Sequence, residues 1–329
     1  TIKNHFKDIA TMDTSNSSIY GKAYEYACIL ALVDKVGNIR EIEIDENDSV
    51  SIARQRYNSI GETMRTEMKL SANAGIAAIM DMEPRIEEDG KDKLTVTLQP
   101  DNVATRYGDI RDVLIIRRSI EWEIGISVKH NHCALKHSRL SPHIDFGKEW
   151  MGVPCSPRYF ENINKVFDRL AIAKNENKLW SELPSKEDEV YVPLLKAFME
   201  EFHSLQESNN VTSKLVEYLI GSNGRDYYKL IHHNNHTATV MPFNLYGTLN
   251  HSSNSQEPRI DVPLIELPDR IIELAFKEGS KTTIVLTMNK GWSITMRLHN
   301  AKKSVELSLK FDIQLQSKPE DIFYLDVEW

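Results

Sequence analysis

Residues 112–129 read DVLIIRRSIEWEIGISVK. An acid opens an apolar run, a short turn-forming stretch follows, and a second run ends in Ser127-Val128-Lys129. Two neighbouring strands of this kind set a carboxylate beside an ammonium. That pairing suits metal-assisted hydrolysis of a phosphodiester. The carboxylate holds a hard divalent cation through oxygen, and the ammonium faces the phosphate or the attacking water. The plainer alternatives are a strand-start Asp caught in a turn and a lysine at a wet strand end. Asp101 and Asp109 compete with Asp112 for the acidic role. Asp101 follows Pro100, but no apolar strand follows it directly, and Asp109 suits a positioning role. Asp112 is favoured because its strand begins at once.

Lys129 shares a strand face with Ser127, Gly125 and Glu123, because faces repeat every second residue. Gly125 leaves room on that face for close approach of another group. A metal site calls for a second carboxylate, yet Ser127 holds the position two before the lysine. Glu123 is roughly 20 Å from Lys129 along an extended strand, too far to share one small cation. Glu25 on a first helix, Asp145 and Glu149 are the candidates, and spacing does not choose among them.

The net charge of −8 gives no general sign of nucleic-acid binding, but phosphate needs only local positive potential. From Ser127 to Ile144 there is no Asp or Glu, while Lys129, Lys136 and Arg139 are basic and four histidines join them. A solvated surface would mix signs, so this window reads as anion-facing. Lys136, His137 and Arg139 are expected on backbone phosphates, which position without specifying sequence. His130-Asn131-His132 spells HNH but is a decoy, since adjacent strand residues point to opposite faces and cannot jointly chelate. Contact with phosphate stays open to them. The histidines between 232 and 236 lack the cysteine partners of a zinc site. No phosphate-binding glycine loop, dinucleotide fingerprint or nucleophile elbow occurs.

These residues need a frame. Residues 21–32 have helical periodicity, and so do 51–82, with a break expected near 71–73 and a stop at Pro84. Leu94 to Leu98 alternates like a strand. Asn131 is placed to cap a short helix reaching Arg139. Residues 157–228 read as mostly helical with a loop near 184–188, and 234–260 read as loop. Trp292 to Leu298 and Val305 to Ile313 alternate apolar and polar residues, which is strand periodicity. A hairpin over 300–303 would join them. The expected class is α/β (α+β): a mixed sheet flanked by helices, a helical insertion and a β-rich C-terminal region. The expected domains are a catalytic core over 1–156 and a helical and β-rich part over 157–329. With 329 residues and 41% apolar composition, one large or two ordinary domains are possible. No membrane span is expected, and three cysteines without metal-like spacing fit a reducing cytoplasm.

An Asp-led strand, a turn and a strand ending in x-Lys resembles the core of the PD-(D/E)xK nucleases. The block WEIGISVKHNHCALKHSRLSPHIDFGKEW, with GVPCSPRYF after it, resembles the HaeIII-like Type II restriction endonucleases. So do GKAYEYACILAL near the start and WSITMRLHNA and VELSLKFDI near the end. The resemblance implies a magnesium-dependent endonuclease that cuts double-stranded DNA at a short palindrome, GGCC, leaving blunt ends. By position it implies Asp112 as the strand-start acid, Lys129 as the motif lysine and Glu25 as the first-helix glutamate. Ser127 departs from the Asp or Glu usual there. Some enzymes of this fold read Ser-x-Lys and take the acid from a later helix, which would favour Asp145 or Glu149. A palindromic site suggests a homodimer, with a monomer cutting one strand at a time as the alternative, and the resemblance implies a cognate methyltransferase as functional partner. Candidate base readers are Arg297, Asn300, Lys302 and Lys303 on the exposed face and hairpin of the C-terminal strands, with Arg158 as a second location. The competing readings are a DNA-binding protein with a degenerate nuclease site and a structure-specific repair nuclease of the same fold. An RNA-directed nuclease is the least favoured.

Overall fold

A computed structural model of the chain describes residues 14–87, 92–100, 109–131, 135, 138–221, 224–317, 319 and 322–329. Two compact units interleave along it. The first comprises Thr1–His132, Arg225–Pro263 and Phe323–Trp329, the second Cys133–Gly224 and Leu264–Ile322. The expected division at residue 156 follows the chain, whereas these units do not. The reason lies in the sheet of the first unit. Its strand β4 (Trp122–His130) pairs in parallel with β6 (Tyr227–His233). Parallel neighbours cannot be joined by a tight turn, and the long crossover between them enters the second unit.

The first unit is built on β1 (Ile42–Ile44), β2 (Leu94–Leu98), β3 (Val113–Arg117), β4, β6, β7 (Thr237–Phe243) and β12 (Leu325–Glu328), in the order β1-β2-β3-β4-β6-β7-β12. β1 runs parallel to β2, and β3 is antiparallel to both β2 and β4. Helices α1 (Thr14–Val36), α2 (Asp48–Ser59) and α3 (Glu62–Met82) pack with them around one core. Tyr24, Leu32, Ile79, Ile126 and Leu230 are fully or almost fully buried there. The expected helix break at 71–73 instead falls at Ile60-Gly61, both extended in ψ. Ser71, Ala72 and Gly75 stay helical because small residues are needed there. Ser71 Oγ lies 2.8 Å from Tyr24 Oη, and a Cβ at Gly75 would come within 2.3 Å of Leu230.

Two further expectations concern this unit. The short helix expected from Asn131 to Arg139 lies largely outside the described residues, and Asn131 itself is engaged elsewhere. It has a left-handed φ of 59° and exchanges hydrogen bonds with Asn234, Nδ2 donating at 2.8 Å and Oδ1 accepting from the backbone at 3.0 Å. Residues 237–243, read as loop, form β7. Polar Asn and His residues on either side hide a run whose strand character comes from pairing with β6 and β12.

Glu83, just past α3, is wholly buried. Its Oε1 accepts from Tyr228 Oη at 2.8 Å and Asn250 N at 2.7 Å, while Oε2 has no partner among the described residues. Burial outweighs these bonds and pushes its carboxyl up to about 7. The folded chain therefore keeps a proton that the unfolded chain releases. For this group stability is greatest below about pH 4.5 and falls as pH rises through about 7. Glu83→Gln should lessen that fall by about 3 kcal/mol. Urea midpoints of the metal-free protein at mildly acidic and mildly alkaline pH measure it. Glu25 acts in the same direction, so some slope persists in the variant. A slope equal to wild type would mean that Glu83 is ionised throughout.

The second unit has its own sheet, in the order β5-β11-β10-β9-β8. The strands are β5 (Arg139–Leu140), β8 (Ile271–Phe276), β9 (Thr283–Met288), β10 (Ser293–His299) and β11 (Leu309–Ser317). Helices α4 (Pro157–Asn175), α5 (Val192–Asn209) and α6 (Thr212–Ile220) belong to it. Ser156 caps α4, its Oγ accepting from Tyr159 N at 3.3 Å, and Pro157 takes the first helical position. Phe311 of β11 packs on Phe198 of α5 and on Trp150. Arg139, expected at a helix end, lies in β5. The expected hairpin over 300–303 is longer, because β11 starts at Leu309. Asn300 organises that loop: its Oδ1 accepts from Glu306 N and its Nδ2 donates to Ser304 O. Val305 and Leu307 therefore precede the strand that their alternation suggested. Among the described residues no helix is long and apolar enough to cross a membrane.

Candidate active site

Asp112 stands at the entry to β3. Its backbone N–H donates to Ile126 O at 2.8 Å, and its carbonyl accepts from Gln99 N at 2.9 Å. The residue is thus held between β2 and β4 before the side chain does anything. Its Oδ2 accepts from Val128 N at 2.7 Å, Lys129 Nζ at 3.1 Å and Ser127 Oγ at 3.5 Å. One carboxylate oxygen therefore gathers the last residues of β4. Lys129 Nζ also donates to the Val128 carbonyl at 3.0 Å. The Asp112 and Lys129 side chains are 24% and 23% exposed, so the pair is fixed yet open to a substrate. Ser127 is fully buried, and a neutral hydroxyl there supports Asp112 without adding a charge.

Glu25 comes to the same place from α1. Ala23, Tyr24, Ala27 and Cys28 of that helix are buried in the core, which turns Glu25 inward as well. Lys22, one turn earlier, donates to its Oε2 at 3.1 Å. Burial, and next the Asp112 carboxylate, push the Glu25 carboxyl up to about 7 against the pull of Lys22 and Lys129. A buried carboxylate that feels a second carboxylate's charge is the chemistry of a cation site. Among the described residues nothing donates to Asp112 Oδ1 or Glu25 Oε1. These two oxygens and the Val128 carbonyl are of the hard-oxygen kind that Mg²⁺ takes. That ion binds through one or two carboxylates and keeps several waters. Among the described residues no cluster of three or more Asp, Glu, His or Cys side chains could hold a metal, so a zinc-type cage is not what this site resembles.

Arg111 supports Asp112 from the preceding position. Its guanidinium donates to Asp109 at 2.7 and 2.9 Å and to Glu123 at 2.8 Å, and Arg225 reaches Glu123 at 2.9 Å. Burial would raise the Asp109 carboxyl, but the Arg111 hydrogen bonds hold it below its ordinary value. Asp109 is thereby committed to Arg111. The side chain of Arg111 lies across Gly125, where a Cβ would come within 2.2 Å of its Cδ and 2.7 Å of its Cβ. The room at Gly125 is thus filled by the arginine next to the acid. Gly125→Ala should displace a buried, ion-paired guanidinium and cost about 3–5 kcal/mol. A denaturant midpoint measures this, and a value equal to wild type would show that Arg111 yields freely.

The histidines take another role. His130 stacks on His232 with centroids 5.0 Å apart, and His232 stacks on Trp329 at 5.2 Å. Burial holds His130 down to about 4 and His232 to about 3, so both are neutral near neutral pH. His130 is a packing residue rather than a phosphate contact. No local pattern joins Trp329 to it, since β12 brings the C-terminus back to the sheet.

The other expected residues lie in the second unit or outside the described set. Asp145 Oδ1 accepts from Lys148 N at 2.9 Å and Cys155 N at 3.0 Å, which commits it to a turn cap, while Glu149 is exposed. Arg139 is exposed on β5, and Arg158 is exposed in the first turn of α4. Arg297 pairs with Asp312 at 2.7 Å and Lys302 with Glu306 at 3.1 Å, while Lys303 is exposed. Asn300 is taken up by its loop. Asp101, His132, Lys136 and His137 lie outside the described residues.

Comparison with known proteins bears on this arrangement. No solved structure gives a significant match. The Type II restriction enzyme HaeIII of Haemophilus aegyptius is 41% identical over 319 residues, covering 96% of this chain and 99% of that protein. The sequence model of the HaeIII restriction endonuclease family matches residues 21–319. Both Glu25 and the Asp112–Lys129 pair fall inside that match, and the chain belongs to the HaeIII restriction endonuclease family.

Proposed function

We propose that this chain hydrolyses duplex DNA with Mg²⁺ at the palindrome GGCC and leaves blunt ends. The observation that carries the chemistry is the Asp112–Lys129 contact, and the buried Glu25 carboxyl, raised by the Asp112 charge, supports it. The recognition sequence rests on the family resemblance alone. Asp112 Oδ1 and Glu25 Oε1 would hold the cation, and the Val128 carbonyl is the third candidate oxygen. When bound, Mg²⁺ supplies positive charge at the attacked phosphate and favours ionisation of water. Asp112 Oδ2 stays on Val128 N and keeps the carboxylate from turning. Lys129 Nζ, tethered to Asp112 and the Val128 carbonyl, neutralises charge that develops on the phosphate oxygens as water attacks in line. Asp145 and Glu149 drop behind Glu25 as the second carboxylate, because the Asp112 charge reaches Glu25 while Asp145 caps a turn and Glu149 is exposed.

Cutting both strands of a palindrome suits two copies of the chain related by a twofold axis. A cell that makes such an enzyme must protect its own sites, which calls for a cognate methyltransferase and places the enzyme with the DNA in the cytoplasm. The degenerate-binder reading drew on Ser127. Its hydroxyl lies on the Asp112 carboxylate, and Glu25 offers the missing charge, so that argument loses its force. The test is a plasmid digest with magnesium, without it and with EDTA. Discrete magnesium-dependent fragments with blunt ends at GGCC are expected. Intact DNA in both magnesium and manganese would return the chain to the binder reading. A smear, or cutting set by DNA structure, would point to a repair nuclease.

A further inference from the structure

Strands β10 and β11 present two unlike faces. Ile294, Met296 and Leu298 on β10 and Leu309, Phe311 and Ile313 on β11 are buried. The alternate residues form cross-strand pairs on the other face: Thr295 with Gln314, Arg297 with Asp312, and His299 with Lys310. Arg139 of β5 pairs with Lys310 and lengthens that last row. Asp312 is the only carboxylate in the two strands. A local excess of Arg139, Arg297 and Lys310 over one acid, on a chain of net charge −8, is complementary to DNA.

The spacing and chemistry of the middle row narrow the target. Same-face residues on a strand are about 6.6 Å apart, close to twice the ~3.4 Å rise per base pair. A two-stranded ribbon fits the major groove. Arg297 Nη2 donates to Asp312 Oδ2 at 2.7 Å, with the two side chains 58% and 21% exposed. The row thus offers donors and an acceptor side by side. A G·C pair offers the converse in the major groove, acceptors at guanine O6 and N7 beside a donor at cytosine N4. We propose that Arg297 and Asp312 together read one G·C pair of the site, Arg297 on guanine and Asp312 on cytosine N4, with Arg139 and Lys310 on flanking phosphates. This inference rests on the DNA-cleaving reading above. It supplies a cytosine acceptor, and of the exposed face and hairpin expected to read bases it singles out the face.

The test uses the full chain, with calcium in place of magnesium, and short duplexes carrying the site mapped by the digest or one substituted base pair. Anisotropy gives the affinity ratio for each substitution. Asp312→Asn keeps the shape but swaps an acceptor for a donor, and Arg297→Lys keeps the charge but loses the bidentate fork. Each should lower discrimination at one G·C position and its symmetric mate by about 10- to 100-fold, with substituted duplexes bound as before. Thermal midpoints check that both variants are folded. Wild-type ratios at every position, in a preparation that cuts DNA, overturn this inference alone. Equal weakening on all duplexes also overturns it, because the pair would then be a general phosphate contact. A wild type that neither cuts nor prefers any duplex defeats the DNA-cleaving reading itself.

Discussion

Lys129→Ala is expected to lower the rate of magnesium-dependent DNA cleavage by at least about 10³-fold while leaving affinity for the site in calcium nearly unchanged. Lys129 Nζ is held at 3.1 Å from Asp112 and 3.0 Å from the Val128 carbonyl, so its charge is already placed before substrate arrives. Such a preorganised charge acts most where new charge develops, which is the attacked phosphate. The ground-state complex gains much less from it, hence the split between rate and binding. Lys129→Arg should not rescue the rate. A planar guanidinium cannot repeat the compact contact with one carboxylate oxygen and one carbonyl. Single-turnover cleavage and anisotropy on the same duplex measure the two quantities. A variant that cuts at the wild-type rate would remove Lys129 from the chemistry.

Asp112→Asn should reduce cleavage by at least about 10³-fold, with the loss traceable to the cation. The introduced amide would still offer an oxygen to Val128 N, so the turn into β3 keeps its shape. One charge of the donor set would be gone, and the magnesium requirement should rise steeply. Glu25→Gln should show the same kind of loss to a smaller degree, a magnesium midpoint at least about 10-fold higher. Stability provides the control. Losing the part-exposed ion pair with Lys129 costs up to about 1 kcal/mol, while removing the Asp112 charge relieves Glu25. The thermal midpoint of metal-free Asp112→Asn should therefore stay close to wild type. Inactivity with a normal midpoint and weakened magnesium dependence supports the site. An unchanged magnesium midpoint in Glu25→Gln would move the second carboxylate to Asp145 or Glu149.

The sheet of the first unit carries two demands at once. It must hold Asp112 within reach of the Glu25 charge, and it must bury His130 away from water. Its compensation is dense: Asp112 is pinned on both sides by neighbouring strands, and Arg111 is locked by two acids over Gly125. Unfavourable charge burial of this kind at a site is the common exchange of stability for activity.

Much of the site was legible in the residues, for local reasons. Asp112 and Lys129 lie on two strands joined by a turn, so their meeting needs only the period of a strand and the length of a connection. The pairing of Leu114 with Gly125 shows the register that brings them together. The alternation of β10 is equally local, as is the helical character of α1. Gly125 announced a close approach without saying what approached.

What the sequence determined by itself is this local set: the acid–lysine hairpin, the helical α1 and the two-faced C-terminal strands. Tertiary structure alone decided the rest. It brought Glu25 within reach of the Asp112 charge and committed Asp145 to capping a turn, which no spacing foretells. It turned residues 237–243 into a strand through pairing on both sides. It carried Trp329 to His232 and interleaved the two units around a parallel pair. Each of these depends on residues far apart in the chain. No period or spacing encodes such contacts, because the free energy that makes them is gained only when the core closes around them.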